Sequence, residues 1–172
     1  FEDVAKSIDQ FVQHGIRINK VHITNAVELL NPSENAEGRF ALRQFVEPRY
    51  LHQTYARFAD GRIETRLDLT LEDIERQPAD AFMQANAWRV HFHVPIFAET
   101  LGSLKTTRQD LAAALRKVAA MDYAPHLEVE TYTWPVMPGE SAIDSTPLAD
   151  RIAQEMRSAA ELLGEAAEAS GN

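Results

Sequence analysis

The sequence predicts an α/β fold, the C-terminal part of a (β/α)8 TIM barrel with an inserted β-hairpin. Three short segments, 20–25, 89–94 and 126–134, alternate polar and apolar residues. Side chains of a strand alternate between its two faces, so each segment is typical of a strand with one apolar and one polar face. Helical patterns precede, separate and follow these strands, which is the element order of a parallel sheet with helical crossovers.

Two architectures fit that order, an open doubly wound sheet and a barrel. Strands of an open sheet are covered by helices on both faces and are apolar throughout, whereas these three are apolar on one face only. The pattern therefore favours the barrel, whose inner face can carry a site. A whole barrel needs about 250 residues and this chain has 172, so we expect residues 1–164 to form part of a barrel and 165–172 a disordered tail.

The first and last helices are predicted from amphipathic patterns. The first is expected over residues 2–14, with Gly15 in a left-handed C-terminal cap. The last is expected to begin at Pro147, behind a cap formed by Ser145 and Thr146. The predicted buried stripes are Val4, Ile8, Phe11 and Val12 in the first helix and Leu148, Ile152, Met156 and Leu163 in the last.

Residues 48–86 interrupt the alternation of strands and helices. Two strand patterns, 50–58 and 62–69, are separated by Ala59, Asp60 and Gly61, a sequence that favours a hairpin turn. We expect this hairpin and the helical turns after it to form an insertion that leaves the sheet and covers its mouth.

Composition excludes several classes of protein. The chain has no cysteine, which removes disulfides, thiolate zinc sites and thiol nucleophiles. Its net charge of -9 offers no basic footprint for nucleic acid. No apolar stretch approaches the roughly 20 residues of a membrane span, so we expect no membrane insertion and a cytoplasmic location. Its isolated glycines form neither a P-loop nor a dinucleotide fingerprint.

The polar strand faces carry four of the six histidines of the chain. In barrels, function lies at the C-terminal ends of the strands, and His93 and Glu130 lie nearer those ends than His91 and Glu128. Imidazole and carboxylate together suit Mn, Co or Zn, while carboxylate alone favours Mg. We therefore predict a divalent metal site, with a hydrogen-bonded structural role as the alternative for the deeper histidines. Its candidate ligands are His93, Glu130, His22 and His91.

The other polar residues of these strands have two sets of roles. Glu128 and Lys20 are candidate proton carriers, and the alternative is that they form an ion network with Arg89 at the barrel floor. Arg89, Tyr132 and Trp134 are candidate substrate contacts. Trp134 is either a hydrophobic plug or a stacking platform for a ligand ring.

Four segments carry a resemblance to a known family: Phe-Glu-Asp at 1–3, Glu-Pro-Arg-Tyr-Leu-His at 47–52, His-Phe-His-Val-Pro at 91–95 and His-Leu-Glu-Val-Glu-Thr-Tyr-Thr-Trp at 126–134. Over most of residues 1–140 the chain resembles the C-terminal half of EboE-type metabolite traffic proteins. These belong to the xylose-isomerase-like TIM-barrel superfamily of sugar phosphate isomerases and epimerases.

The resemblance implies a site of two Glu, one Asp and one His around a divalent metal. The late-strand histidine matches His93 or His91, and the last-strand carboxylate matches Glu130 or Glu128. The first strand also matches the histidine strand of the superfamily, with Asn25 where that pattern often has Asp.

The function that the resemblance implies is a metal-dependent isomerase- or epimerase-like activity on a sugar-like small metabolite. The alternative is a non-catalytic metabolite-binding or traffic protein on the same scaffold. Part of a barrel also leaves unpaired strand edges, through which copies of the chain can associate as a homo-oligomer.

Overall fold

A computed structural model describes residues 1, 3–138 and 146–169. The chain is a mixed α/β protein, as predicted, but the described residues form no closed barrel. The helices are α1 (Val4–Gln13), α2 (Ala36–Leu42), α3 (Leu71–Glu75), α4 (Arg108–Ala119) and α5 (Leu148–Ala169), with 3-10 turns at Arg43–Phe45, Phe82–Gln84 and Trp134–Val136. The strands are β1 (Lys20–Ile23), β2 (Asn25–Leu30), β3 (Thr54–Arg57), β4 (Ile63–Arg66), β5 (Ala87–Val94), β6 (Thr100–Leu101), β7 (Leu104–Thr106) and β8 (His126–Val129).

The strands form two sheets. The larger has six strands in the order β4-β3-β5-β2-β7-β6, and every neighbouring pair is antiparallel. The smaller is a parallel pair of β1 and β8. The first and last of the three predicted barrel strands therefore lie side by side in parallel, while the second, β5, is central in an antiparallel sheet.

Alternation along β5 separates a core face from a polar face. Trp88, Val90 and Phe92 are each 1% exposed or less, whereas His91 between them is exposed. These side chains join a large apolar cluster that lies on one side of the six-stranded sheet. A second cluster, built from Ile23, Ile96, Leu115, Ala159 and Leu162, packs the parallel pair against α4 and α5.

The hairpin was predicted correctly, but its position was not. β3 and β4 pair around a turn in which Gly61 has a φ of +83°. The hairpin does not leave the sheet, because β3 also pairs with β5 in the register Thr54↔Val90. β5 is eight residues long and its backbone groups must be paired on both edges when buried, so the hairpin completes one edge and β2 the other.

β2 was not predicted as a strand. The chain bends at Thr24 and passes from the parallel pair into the large sheet, where Val27 and Leu29 are buried. Asn25 stabilises this bend, since its wholly buried amide donates to the carbonyl oxygens of Pro95 and Ile96 at 3.3 and 3.2 Å.

The two terminal helices form where they were expected, with different buried faces. In α1 only Ile8 of the predicted stripe is buried, and Gly15 has the expected left-handed φ of +68°. In α5 the buried residues are Glu155, Ala159, Leu162 and Ala166, while Leu148, Ile152 and Met156 are exposed. The helix runs to Ala169, five residues beyond the predicted end, because its Ala and Glu residues are strong helix formers. Glu2 and Ser145, which the predictions placed at helix starts, lie outside the described residues.

Candidate functional site

The parallel pair brings together polar residues that lie more than 100 positions apart in the chain. His22 on β1 is in register with Glu128 on β8, and paired residues of adjacent strands point to the same face. Lys20 forms an ion pair with Glu128, and both side chains are about half exposed. Lys20 holds the pKa of the Glu128 carboxyl below its ordinary value, chiefly through this hydrogen bond.

Glu130 continues the ladder one residue beyond β8. Its backbone N–H donates to the carbonyl oxygen of Ile23 at 3.1 Å. Its carboxylate then lies beside the His22 ring, with Nδ1 of His22 at 2.7 Å from Oε2. Oε2 of Glu128 lies 3.8 Å from the other ring nitrogen, Nε2. His22 therefore lies between two carboxylates, and the closer one, that of Glu130, accepts a hydrogen bond from Nδ1–H.

The second histidine group lies on β5, where His91 and His93 share one strand face. Their Nε2 atoms are 2.9 Å apart and their ring centroids 5.0 Å apart. Nδ1 of His93 donates to the backbone carbonyl oxygen of Glu130. A neutral imidazole has one N–H and one lone pair, so Nε2 of His93 carries the lone pair and Nε2–H of His91 donates to it.

His93 is the most buried of the four strand histidines, with 4% of its surface exposed. Burial lowers its pKa below the ordinary value, and the nearby His91 and His22 rings lower it further. The hydrogen bond to Glu130 acts in the opposite direction without reversing the shift. A neutral His93 whose Nε2 carries the lone pair is the form in which imidazole binds a metal or accepts a proton, and here that lone pair accepts from His91.

An aromatic pair borders the histidines. The ring of Tyr132 lies 4.6 Å from that of His93 and meets Tyr50 edge-on at 5.0 Å. Burial, the Glu130 carboxylate and Tyr50 all raise the pKa of the Tyr132 hydroxyl, so it stays a protonated donor. Tyr132 is 42% exposed, which leaves one edge of the pair open to a ligand.

Tyr50 was missed by the sequence reasoning. It follows Glu47, whose carboxylate accepts the backbone N–H of Tyr50 at 3.0 Å. Glu47 also lies 3.5 Å from Nε2 of the buried His52, which stacks on Phe92. The segment 47–52 is one of those that carry the family resemblance, and this was the available signal for Tyr50.

Two predicted substrate contacts, Arg89 and Trp134, are bound to carboxylates outside the histidine group. The guanidinium of Arg89 is paired with Glu28 at 2.8 Å and with Asp110 at 2.5 Å. These are not the partners of the alternative prediction, which placed Arg89 in an ion network with Glu128 and Lys20. Trp134 is 6% exposed, and its indole N–H donates to Glu155 at 3.1 Å. Of the two roles left open for Trp134, its burial matches the hydrophobic plug.

Glu155 is the buried acid that the sequence reasoning missed. Its carboxylate is wholly shielded from water and accepts hydrogen bonds from Thr131, Trp134 and the backbone N–H of Ile96. Desolvation by burial raises its pKa above the ordinary value, although these three bonds lower it in part. It fixes the segments after β5 and β8 on either side of the histidines. No local pattern marks it, because a glutamate in an amphipathic helix normally lies on the exposed face.

The histidine and carboxylate side chains of the candidate site meet only some of the requirements of a metal site. Within residues 1, 3–138 and 146–169, no group of three or more His, Asp or Glu side chains is arranged to hold a metal ion. The His91 and His93 nitrogens are nonetheless 2.9 Å apart. At that distance Nε2–H of His91 donates to Nε2 of His93, so the two nitrogens would bind one ion together only after the proton of His91 had moved to its Nδ1. His93 also has the carbonyl partner on its second nitrogen that metal-binding histidines typically have.

Comparison with known proteins gives no match. No protein-family model, curated protein or solved structure is significantly similar to this chain. Among the described residues, no helix has the length and apolar character needed to span a bilayer.

Proposed function

We propose that this chain carries the site of a metal-dependent isomerase- or epimerase-like protein that acts on a sugar-like small metabolite, on part of a xylose-isomerase-like barrel. The observation that carries the proposal is the pair His91 and His93, whose Nε2 atoms are 2.9 Å apart while the Glu130 carbonyl fixes the other nitrogen of His93. Such a pair supplies two nitrogen ligands, and nitrogen ligands favour Zn, Co or Mn over Mg.

A further ligand comes from the parallel pair of β1 and β8, which forms a separate sheet. Glu130 contributes a carboxylate, and His22 lies within hydrogen-bond distance of that carboxylate. A divalent ion bound there would polarise a carbonyl or hydroxyl oxygen of the substrate. His91 would act as a ligand in place of a donor only with its proton on Nδ1.

Proton transfer is assigned to the exposed side of the site. Isomerisation and epimerisation of sugars require a base that removes a proton and an acid that returns one. His22 is about half exposed and is oriented by Glu130, as a general base is by its carboxylate partner. Glu128, kept ionised by Lys20, is the second base, and Lys20 is the donor that replaces the proton.

A specific observation favours the alternative, a non-catalytic metabolite-binding or traffic protein. Lys20 and Glu128 already neutralise each other, and the Tyr50 and Tyr132 rings form an edge on which a sugar ring can stack without reacting. The two functions share the ligand class and differ in turnover.

Metal binding tests the proposal directly. Apo-protein is titrated with Co2+, with binding followed by the visible absorption of the ion and its stoichiometry by mass spectrometry. We expect one ion per chain, with affinity lost in His91→Ala and His93→Ala and retained in His14→Ala, a matched exposed histidine at the end of α1. Absence of binding, or equal binding by all four proteins, would overturn the metal-dependent function. Turnover of an aldose and ketose panel then separates the enzyme from the traffic protein.

A further inference from the structure

A groove of about 840 Å³ lies between α1, α4 and β1. Its size is within the range of small-molecule sites, which are concave and mostly apolar with a few polar groups. Lys20 and His22 are among the residues that line it, so the groove adjoins the candidate site, and the part beside these two residues is called its mouth. Its apolar lining includes Val4, Phe11, Val21, Tyr55, Ile63 and Leu115.

The walls of the groove are apolar surfaces without a protein partner over much of their area. Phe11 and Val4 on α1 are 47% and 44% exposed, and Ile63 on the hairpin is 42% exposed. α1 has the apolar stripe of a buried helix, yet only Ile8 is buried. A contiguous exposed apolar surface beside polar groups is typical of a binding site rather than of solvent-facing structure.

The charges at the mouth select against an anionic ligand. Lys20 is paired with Glu128 and His22 with Glu130, and Arg89, which also lines the groove, has two carboxylate partners. A phosphate or carboxylate would meet excess negative charge. Hydroxyl groups are complementary to this mouth, because each can donate to a carboxylate and accept from an ammonium or imidazole N–H.

We propose that the ligand of this protein is amphipathic, with an uncharged polyhydroxyl head at Lys20 and His22 and an apolar chain in the groove. This inference rests on the proposed function for the position of the head, and it adds the apolar chain to the sugar-like substrate. The apolar chain of the ligand would cover the exposed surfaces of Phe11, Val4 and Ile63. Burial of these surfaces would supply binding free energy, whereas the polar groups at the mouth are already paired with one another and add little.

The test uses n-octyl β-D-glucopyranoside below its micelle concentration as the probe. Binding is measured by isothermal titration calorimetry, and contact with the head by the NMR signals of the His22 ring. We expect one molecule per chain, at least tenfold weaker binding of methyl β-D-glucopyranoside, which lacks the chain, and of 1-octanol, which lacks the head. Equal binding of 1-octanol and octyl glucoside would overturn recognition of the head, and an unchanged His22 signal would also overturn it.

Two variants test where the apolar chain of the ligand lies. Ala114→Phe fills the groove from α4, and Phe11→Asp places a carboxylate on its wall without adding volume. Each is expected to weaken octyl glucoside binding tenfold or more. The matched controls Ala160→Phe, on the exposed side of α5, and Phe40→Asp, at a site 68% exposed, are expected to bind as the wild type does. Unchanged binding in both groove variants would place the probe elsewhere and overturn the inference.

Co2+ binding by the same proteins separates the two proposals. A wild type that binds Co2+ and ignores octyl glucoside overturns this inference alone. A wild type that binds octyl glucoside in the groove without Co2+ overturns the metal-dependent function and supports the amphipathic ligand.

Discussion

The indole N–H of Trp134 donates to the carboxylate of Glu155 at 3.1 Å, in a position where Glu155 has no exposed surface. Thr131 donates to the same carboxylate at 2.6 Å, and the backbone N–H of Ile96 donates to it at 3.2 Å. One side chain of α5 therefore joins the segments that follow β5 and β8. Those segments adjoin His93 and Glu130, so a buried acid supports the residues of the candidate site.

Glu155→Gln is expected to destabilise the protein by about 1–3 kcal/mol. A glutamine replaces one acceptor oxygen with an N–H donor, so either Trp134 or the Ile96 and Thr131 donors lose a partner in the interior. The measurement is urea unfolding of wild type and variant, with Glu161→Gln, an exposed position on the same helix, as the control. Equal loss in both variants would mean that the three hydrogen bonds contribute nothing.

The same pair of variants has a predicted pH dependence. The folded-state pKa of Glu155 is raised above its ordinary value of 4.5, so the folded protein binds this proton more tightly than the unfolded chain. The stabilisation that this tighter proton binding gives is complete below the pKa of Glu155 in the unfolded chain. It is lost as pH rises through the pKa of Glu155 in the folded protein. The stability difference between wild type and Glu155→Gln is therefore expected to be larger near pH 4.5 than near pH 7. A difference that is constant across this window would contradict the raised pKa.

Asn25→Asp is expected to destabilise the protein by about 3–5 kcal/mol. The amide of Asn25 donates to three backbone carbonyls, those of Pro95, Ile96 and Ala98, and has no exposed surface. A carboxylate there would oppose carbonyl oxygens and lose its hydration, which is the cost of an unpaired buried charge. Thermal unfolding checks this, and Asn19→Asp, at an exposed position six residues earlier, is expected to change stability by about 0.5 kcal/mol or less. Were the two variants equally stable, Asn25 would not be a structural residue of the bend, and an aspartate of the superfamily pattern would be tolerated there.

Truncation of two neighbouring residues of β5 is expected to reduce stability by very different amounts. Phe92 is 1% exposed and packs edge-on against Phe45 with ring centroids 5.1 Å apart, so Phe92→Ala is expected to cost about 3–5 kcal/mol. His91 is exposed and its side chain donates one hydrogen bond to His93, so His91→Ala is expected to cost only about 1 kcal/mol in the absence of metal. Urea midpoints of the two variants decide this, and similar values would contradict the assignment of the faces.

Alternation predicted the faces of β5 but not its neighbours. Val90 and Phe92 face the core and His91 faces away from it, as the period of two requires. Strand pairing is a non-local property, however, and nothing in residues 89–94 distinguishes a parallel barrel neighbour from the antiparallel partners β2 and β3. The structure places the Glu130 carboxylate beside His22, whereas His93 contacts the backbone carbonyl of Glu130 and not its carboxylate.

The face of α5 was mispredicted for a different reason. Amphipathic analysis assigns the largest apolar residues to the core, and this selects Ile152 and Met156. The structure buries Glu155 instead, because three donors from distant segments satisfy its carboxylate. Hydrogen-bond partners from distant parts of the chain are invisible to a local pattern. Glu155 is therefore a buried polar residue beside the candidate site that no local pattern could predict.

Glycine to alanine substitutions at two helix positions are expected to have opposite effects. Gly15 follows α1 with a φ of +68°, a region that costs alanine about 1 kcal/mol or more, so Gly15→Ala is expected to lower the melting temperature. Gly164 lies inside α5, and no atom lies within 4 Å of the position that an alanine methyl group would take there. Alanine at Gly164 removes backbone entropy from the unfolded chain and is expected to stabilise the protein by about 0.4–1 kcal/mol. Differential scanning calorimetry of both variants measures the two shifts. A shift of the same sign in both would mean that Gly15 is not required by the left-handed cap or that α5 is not helical at Gly164.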